Sequence, residues 1–102
     1  MAPRVLVVDP DPAAASWLSQ QLLAQGFAAS LAFDAATGAT LALTTSPEVL
    51  VVDLFLPGPG GVGFVRHLRE QRGATPLAAV YLVSPEHVSP ALRDSFMGLD
   101  DF

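Results

Sequence analysis

Cysteine is missing from this sequence, and so is lysine. Without thiols there is no disulfide framework and no thiolate metal site, which fits an intracellular setting. Without lysine, the cations reduce to Arg4, Arg66, Arg69, Arg72 and Arg93 against ten acids, for a net charge of -5. That balance argues against a basic surface for nucleic acid. No apolar run approaches the ~18 residues of a membrane span, and the amino terminus has no signal-peptide pattern. The expectation is a cytoplasmic protein without a membrane partner. Charged residues are few, at 15%, while hydrophobic ones reach 51%, the reverse of a disordered composition. A chain of 102 residues is read as one domain, 1–102. Arg66, Arg69 and Arg72 fall close together and read as a solvated helix face. His67 and His87 have no partner at metal-ligand spacing and read as surface residues.

Against these absences stands a repetition. Val5-Leu6-Val7-Val8-Asp9 recurs as Val49-Leu50-Val51-Val52-Asp53. Each copy is an apolar run without polar alternation, the pattern of a strand buried on both faces of a parallel sheet. Asp11-Pro12 opens a helix that Gly26 closes, with Ala14, Leu18 and Leu22 on its inner face and Trp17 beside them. Residues 27–33 make a weaker strand, and Asp34 caps a second helix to about Leu43, poor in propensity because of Gly38 and its threonines. After the second VLVVD, a loop rich in glycine and proline leads to a third helix near 62–72, with Phe64, Val65 and Leu68 inward. Residues 77–83 form a fourth strand, and Ser89-Pro90 starts a short last helix to Met97. The alternation predicts an α/β, doubly wound parallel sheet.

Ligands of such sheets bind beyond the carboxyl ends of the strands, where strand order switches. Asp9 and Asp53 each stand at such an end. If their strands are neighbours, the two carboxylates share one crevice and repel. A hard divalent ion with oxygen ligands, Mg²⁺ above all, resolves that repulsion.

VLVVDPDP, VVDLFLPGPGG and GLDDF, in this order and spacing, resemble the receiver domains of bacterial two-component response regulators over essentially the whole chain. The most specific piece is an aspartate ending a buried strand, with Leu56-Pro57-Gly58 shortly after and Gly61 opening a helix. The resemblance implies a flavodoxin-like fold of strand order 2-1-3-4(-5), its last strand and helix missing or incomplete. It implies a signal-transduction phosphoprotein in which Asp53 accepts a phosphoryl group from a histidine kinase. Such a domain is not an enzyme, beyond self-phosphorylation and self-dephosphorylation. Mg²⁺ would be held weakly by Asp9, Asp53 and the backbone carbonyl of Phe55. Asp11 reads first as a helix cap, with a metal role in second place. Val83, Ser84 and Phe102 match the switch positions.

The sequence departs from the family at several of these places. Pro10 stands where a second acid is usual. Val83 stands where a hydroxyl holds the phosphoryl oxygen, with Ser84 adjacent, and the family's lysine would lie beyond Phe102. These losses support an alternative, a pseudo-receiver interaction module that is not efficiently phosphorylated. A phosphohydrolase of another doubly wound family would need an acid at position 55, which is phenylalanine. If no fifth strand follows, the edge of strand four would be open to homodimer formation, and Val5, Val7 and the Trp17 stripe would be partly uncovered.

Overall fold

A computed structural model describes residues 2–83. The elements run β1 (Arg4–Val8), α1 (Pro12–Ala24), β2 (Ala28–Ala32), α2 (Ala35–Thr45), β3 (Val49–Asp53), α3 (Gly60–Arg72) and β4 (Ala78–Leu82). All described strand pairs are parallel, in the order β2-β1-β3-β4. The doubly wound parallel sheet is thus present, with β2 and β4 at its edges among the described residues. Residues 84–102, including the expected last helix, Ser84, His87 and Phe102, lie outside the described residues.

The repeated pentapeptide pairs with itself. Val5 lies opposite Val49, Leu6 opposite Leu50, Val7 opposite Val51 and Val8 opposite Val52. Because side chains alternate across a strand, each run feeds two cores. Leu6, Val8, Leu50 and Val52 join Phe64, Val65 and Leu68 of α3 and Ala42 of α2 on one face. Val5, Val7 and Val51 join Ala15 of α1 on the other, with Leu18, Leu22, Leu31 and Leu82 packed around them. Six of the eight side chains, Leu6, Val7, Val8, Leu50, Val52 and Val5, are at most 3% exposed. Full burial of such a side chain contributes roughly 1.5–3 kcal/mol. The expectation that Val5 and Val7 would be partly uncovered is therefore corrected: α1 covers them. On that face Leu31, Val49 and Leu82 are half-buried, and Val80, in register with Val51, is 49% exposed.

Local chemistry sets the helix ends. The Asp11 carboxylate accepts from the Ala13 and Ala14 N–H groups at 3.0 and 3.5 Å, and Pro12 occupies the first turn without needing a donor. At the other end, Phe27 N–H donates to the Leu22 carbonyl and Gly26 N–H to Leu23, with Gly26 at φ 92°. This is the left-handed glycine stop that satisfies the last carbonyls. The buried face of α1 is Ala15, Leu18, Ser19 and Leu22, one residue on from the expected Ala14, which is exposed. Trp17 is 63% exposed. Asp34 caps α2 through Thr37 N–H at 2.7 Å, and α2 runs on to Thr45, past the expected end at Leu43. The outer strands are each one residue shorter at both ends than expected.

Two glycines are small for packing reasons. A Cβ on Gly38 would lie 3.0 Å from Phe64 Cζ and 3.1 Å from Val8 Cγ2, so α2 can approach β1 and α3 only without one. A Cβ on Gly61 would lie 2.5 Å from the Asp53 carbonyl oxygen and 2.9 Å from Leu54 Cα. Helix α3 therefore begins at Gly60, two residues before the expected position 62, jammed against the end of β3. Gly61 N–H donates to the Leu54 carbonyl at 2.8 Å.

The arginine cluster is not simply a solvated face. Arg69 donates through Nε and Nη2 to the Leu77 carbonyl at 3.1 and 2.7 Å. Arg72 donates to the carbonyls of Pro47 at 2.6 Å and Pro76 at 3.1 Å. Arg4 donates to the Ser46 carbonyl at 3.0 Å and lies 3.7 Å from Glu48. Only Arg66 of the cluster is exposed. These guanidinium groups tie the segments that lead into β3 and β4 at the amino end of the sheet.

Gly61→Ala is expected to lower stability by about 1–3 kcal/mol, the usual cost of overpacking, because the clashing atoms are backbone. Gly63→Ala, whose Cβ would meet only Pro59 Cβ at 3.5 Å, should be neutral or stabilising by up to about 1 kcal/mol from helix propensity. Urea unfolding of the two variants checks the contrast.

Candidate functional site

Parallel strands put all their carboxyl ends on one side, and β1 and β3 are adjacent. Helix α1 leaves β1 for one face of the sheet, while α3 leaves β3 for the other. The chain thus parts at the β1/β3 boundary, the switch point where open α/β sheets bind ligands. A cleft of about 410 Å³ opens there, lined by Asp9, Pro10, Asp11, Ala14, Trp17, Leu18, Asp53, Leu82 and Val83. Asp9, Asp11, Asp53 and Val83 are brought together at this cleft. Phe55, two residues past Asp53, is 51% exposed.

Asp9 is the buried acid of the site, 8% exposed. Its N–H donates to the Ala32 carbonyl at 3.0 Å, which anchors the end of β1 to β2. Its Oδ1 accepts from Asp11 N–H at 2.9 Å. Burial pushes the Asp9 carboxyl above its ordinary 3.8; the Asp11 N–H pulls the other way, and the charges of Asp53 and Asp11 add to the rise. Desolvation disfavours the ionised form, and a like charge nearby does the same. Asp53 is half-buried at the end of β3, and its Oδ1 is 3.4 Å from the Phe55 N–H, a long contact.

The Asp11 carboxylate is engaged at the start of α1, as its sequence context implied, so it meets the cleft as a cap. Pro10 places no second acid beside Asp9. Among the described residues, no group of three or more acid or imidazole side chains could hold a metal ion. The edge offers two carboxylates that repel, together with backbone oxygens. This donor set fits Mg²⁺ of low affinity, since that ion commonly keeps several waters and takes only one or two carboxylates. Val83 lines the cleft and brings no hydroxyl to it. Sequence reasoning missed Trp17, Leu18 and Leu82 as cleft walls; only the fold carries α1 and β4 to the same edge.

No family model matches the chain. Among curated proteins, it is 33% identical over 101 residues to the transcriptional regulatory protein PrrA of Mycobacterium leprae, covering 99% of this chain and 42% of that protein. It is 27% identical over 100 residues to the DNA-binding dual master transcriptional regulator RpaA of Synechocystis, covering 98% of this chain and 42% of RpaA. Among solved structures, the receiver domain of the Francisella response regulator 1452 superposes with a TM-score of 0.68 at 30% identity, covering 82% of this chain and 70% of that one. The doubly wound sheet with a carboxylate pair at its switch point is thus that of a signalling domain of the phosphoacceptor class. The chain belongs to the receiver domains of the response regulators. It spans less than half the length of the curated relatives just named. No helix of the described residues is long and apolar enough to cross a membrane.

The raised carboxyl of Asp9 makes a pH-dependent prediction. With its folded pKa above 3.8, the native state keeps a proton that the unfolded chain has released. The associated stability is fully present below 3.8 and is lost as pH rises through the raised value. Asp9→Asn, which keeps an oxygen for the Asp11 N–H, should therefore be more stable than the parent at neutral pH. Its advantage should vanish below 3.8, as followed by urea unfolding across that range.

Proposed function

We propose that Asp53 is the phosphoacceptor and that the donor is the phosphohistidine of a histidine kinase. One observation carries this reading: Asp53 ends a central strand, half-buried, in the cleft at the switch point beside Asp9. Among the described residues its carboxylate is held only by the long contact to Phe55 N–H, so lone pairs remain for attack. A carboxylate oxygen attacks phosphorus, the O–P bond forms as the N–P bond breaks, and the freed imidazole nitrogen takes up a proton. The close start of α3 fixes the backbone behind the acceptor, through Gly61 against Asp53 and Leu54. Asp9, Asp53 and the Phe55 carbonyl would hold Mg²⁺, which when bound neutralises charge on the transferring group. Asp11 remains with its helix. The resulting acyl phosphate alters contacts with a downstream effector, in the cytoplasm.

Incubation with acetyl phosphate and Mg²⁺ should add one phosphoryl group by intact mass, and Asp53→Asn should add none. Absence of any adduct on the parent chain would overturn the reading. With only two carboxylates, Mg²⁺ should bind at roughly millimolar concentration or weaker, as sites of low ligand charge do. A Trp17 fluorescence titration measures this; submicromolar binding would contradict it.

Switching should be slight. A phosphoryl oxygen needs donors, and Val83 supplies none to the cleft. A ligand shifts an equilibrium only by its differential affinity for the two states. Beryllofluoride, which mimics the phosphoryl group, should therefore move few amide resonances. Val83→Thr should enlarge the response, and an equally small response in that variant would remove position 83 from the switch. Ser84 and Phe102, the other expected switch positions, lie outside the described residues.

A further inference from the structure

The edge of the sheet formed by β2 lacks the features that keep such edges apart. An exposed edge strand offers unpaired N–H and C=O groups to other strands, and proteins blunt it with charge, proline, a bulge or brevity. Strand β2 has none of these. Its sequence AASLA carries neither charge nor proline, it is as long as β1 and β3, and its register with β1 is unbroken over all five residues. Among the described residues nothing pairs with its outer side. Ala28 N–H donates to the Pro3 carbonyl at 2.8 Å, and the Ala32 carbonyl accepts from Asp9 N–H at 3.0 Å. Backbone groups alternate in direction along a strand, so Ala28, Ser30 and Ala32 address β1. Ala29 and Leu31 therefore turn their N–H and C=O groups to the open edge. The neighbouring chain is equally bare of charge. From residue 12 to residue 47 it holds one charged side chain, Asp34, out of ten acids and five arginines. Apolar side chains stand exposed there, Leu23 at 56% and Phe33 at 45%. Leu23 is nine residues from Ala14, which lines the cleft, and so lies on the opposite flank of α1.

We propose that β2 pairs with β2 of a second copy of this chain, antiparallel, about a twofold axis at Ser30. The register is self-complementary. Ala29 of each copy faces Leu31 of the other, and because both turn outward each pair exchanges two N–H···O=C bonds. Ser30 meets Ser30 of the second copy as the intervening non-bonded pair, with Cα atoms about 4.5 Å apart. The same axis sets the exposed Phe33 of one copy opposite Phe27 of the other, an aromatic cross-strand pair. Charge favours a second copy as the occupant. Two chains of net charge -5 meet with least repulsion through the region that holds one acid. That acid does not interfere, since Asp34 falls opposite Gly26. The two Asp34 side chains are then eight residues apart, about 27 Å at the rise of a strand and several Debye lengths. Both Asp53 clefts stay open, because no β2 residue lines them. The pairing does not depend on phosphoryl transfer.

Sedimentation and light scattering follow the 102-residue chain over a concentration series. The mass should double with a dissociation constant of about 100 μM, as suits an interface at the small, transient end of the range. Single cysteines, placed in a sequence that has none, test the register. Ser30→Cys sets two thiols within disulfide reach across the axis, and on oxidation it should cross-link about tenfold faster than Ala28→Cys. Ala28 is the more exposed of the two positions, so accessibility alone would give the reverse order. Ala29→Pro removes an outward donor and leaves the bonds to β1 in place. Ser30→Lys sets two cations face to face. Both variants should stay monomeric where the parent is dimeric, with circular dichroism reporting the retained fold. Should Ala29→Pro fail to fold, Ser30→Lys and the cysteine pair decide. A parent that keeps the mass of a monomer throughout the series would overturn the proposal. Equal cross-linking of the two cysteine variants would do the same. A dimer that survives Ser30→Lys and Ala29→Pro uses another surface, such as the edge of β4, and also sinks the idea.

Discussion

The side-by-side pairing of two identical apolar runs is the interaction on which the rest of this molecule depends. In register, Val5 to Val8 against Val49 to Val52, they form a central double rod with every second side chain committed to each face. A slip of one residue would exchange the two faces along the whole rod. Both cores would then lose their fit to α1 on one side and to α2 and α3 on the other. The same register carries the two carboxylates to the same level of the same edge. Packing specificity and site assembly are therefore one constraint, enforced by hydrophobic burial rather than by any attraction between the acids, which repel.

Charge is divided between the two ends of this rod. At the amino end, Arg4, Arg69 and Arg72 spend their guanidinium groups on the carbonyls of Ser46, Leu77, Pro47 and Pro76. Forked donors suit this work, since one planar group can satisfy two acceptors in fixed geometry. At the carboxyl end, no described arginine reaches the cleft, and Asp9 is buried beside Asp53 without a cationic partner there. The cost of an uncompensated acid pair is borne at the functional edge, while the opposite end is tied down. Such strained electrostatics is common where a protein awaits a ligand or a charge-bearing group.

Glycine sets the distances between layers. Gly38 and Gly61 occupy positions where a methyl group would strike Phe64, Val8 or the backbone of Asp53 and Leu54. The first lets α2 settle against β1 and α3. The second places the start of α3 directly behind the acceptor strand, with Gly61 bonded to the Leu54 carbonyl. Phe55 is turned out toward solvent in the same loop. The glycine-rich loop thus serves backbone-to-backbone contact first.

Much of this was legible in the sequence. Two unalternating apolar runs, helix caps at Asp11 and Asp34 and a glycine stop at Gly26 dictate a parallel α/β sheet, because each feature is a local preference of backbone and burial. Asp9 and Asp53 at strand ends marked the site for the same reason. On the inner face of α1, Leu18 and Leu22 stand as expected, but Ala15 is buried in place of Ala14, since alanines in that helix are apolar on several sides and only contact with Val5 and Val7 selects between them. Arg69 and Arg72 looked like a solvated face because their acceptors, backbone carbonyls of Leu77, Pro47 and Pro76, carry no signature in the sequence. The cleft walls were hidden likewise: Trp17, Leu82 and Val83 are distant along the chain, and only the crossing of α1 and β4 over one sheet edge brings them together. Local propensity determined which elements form and where the acids stand. Tertiary packing alone decided what surrounds the acids, because desolvation and neighbouring charge depend on distances that exist only once the layers close.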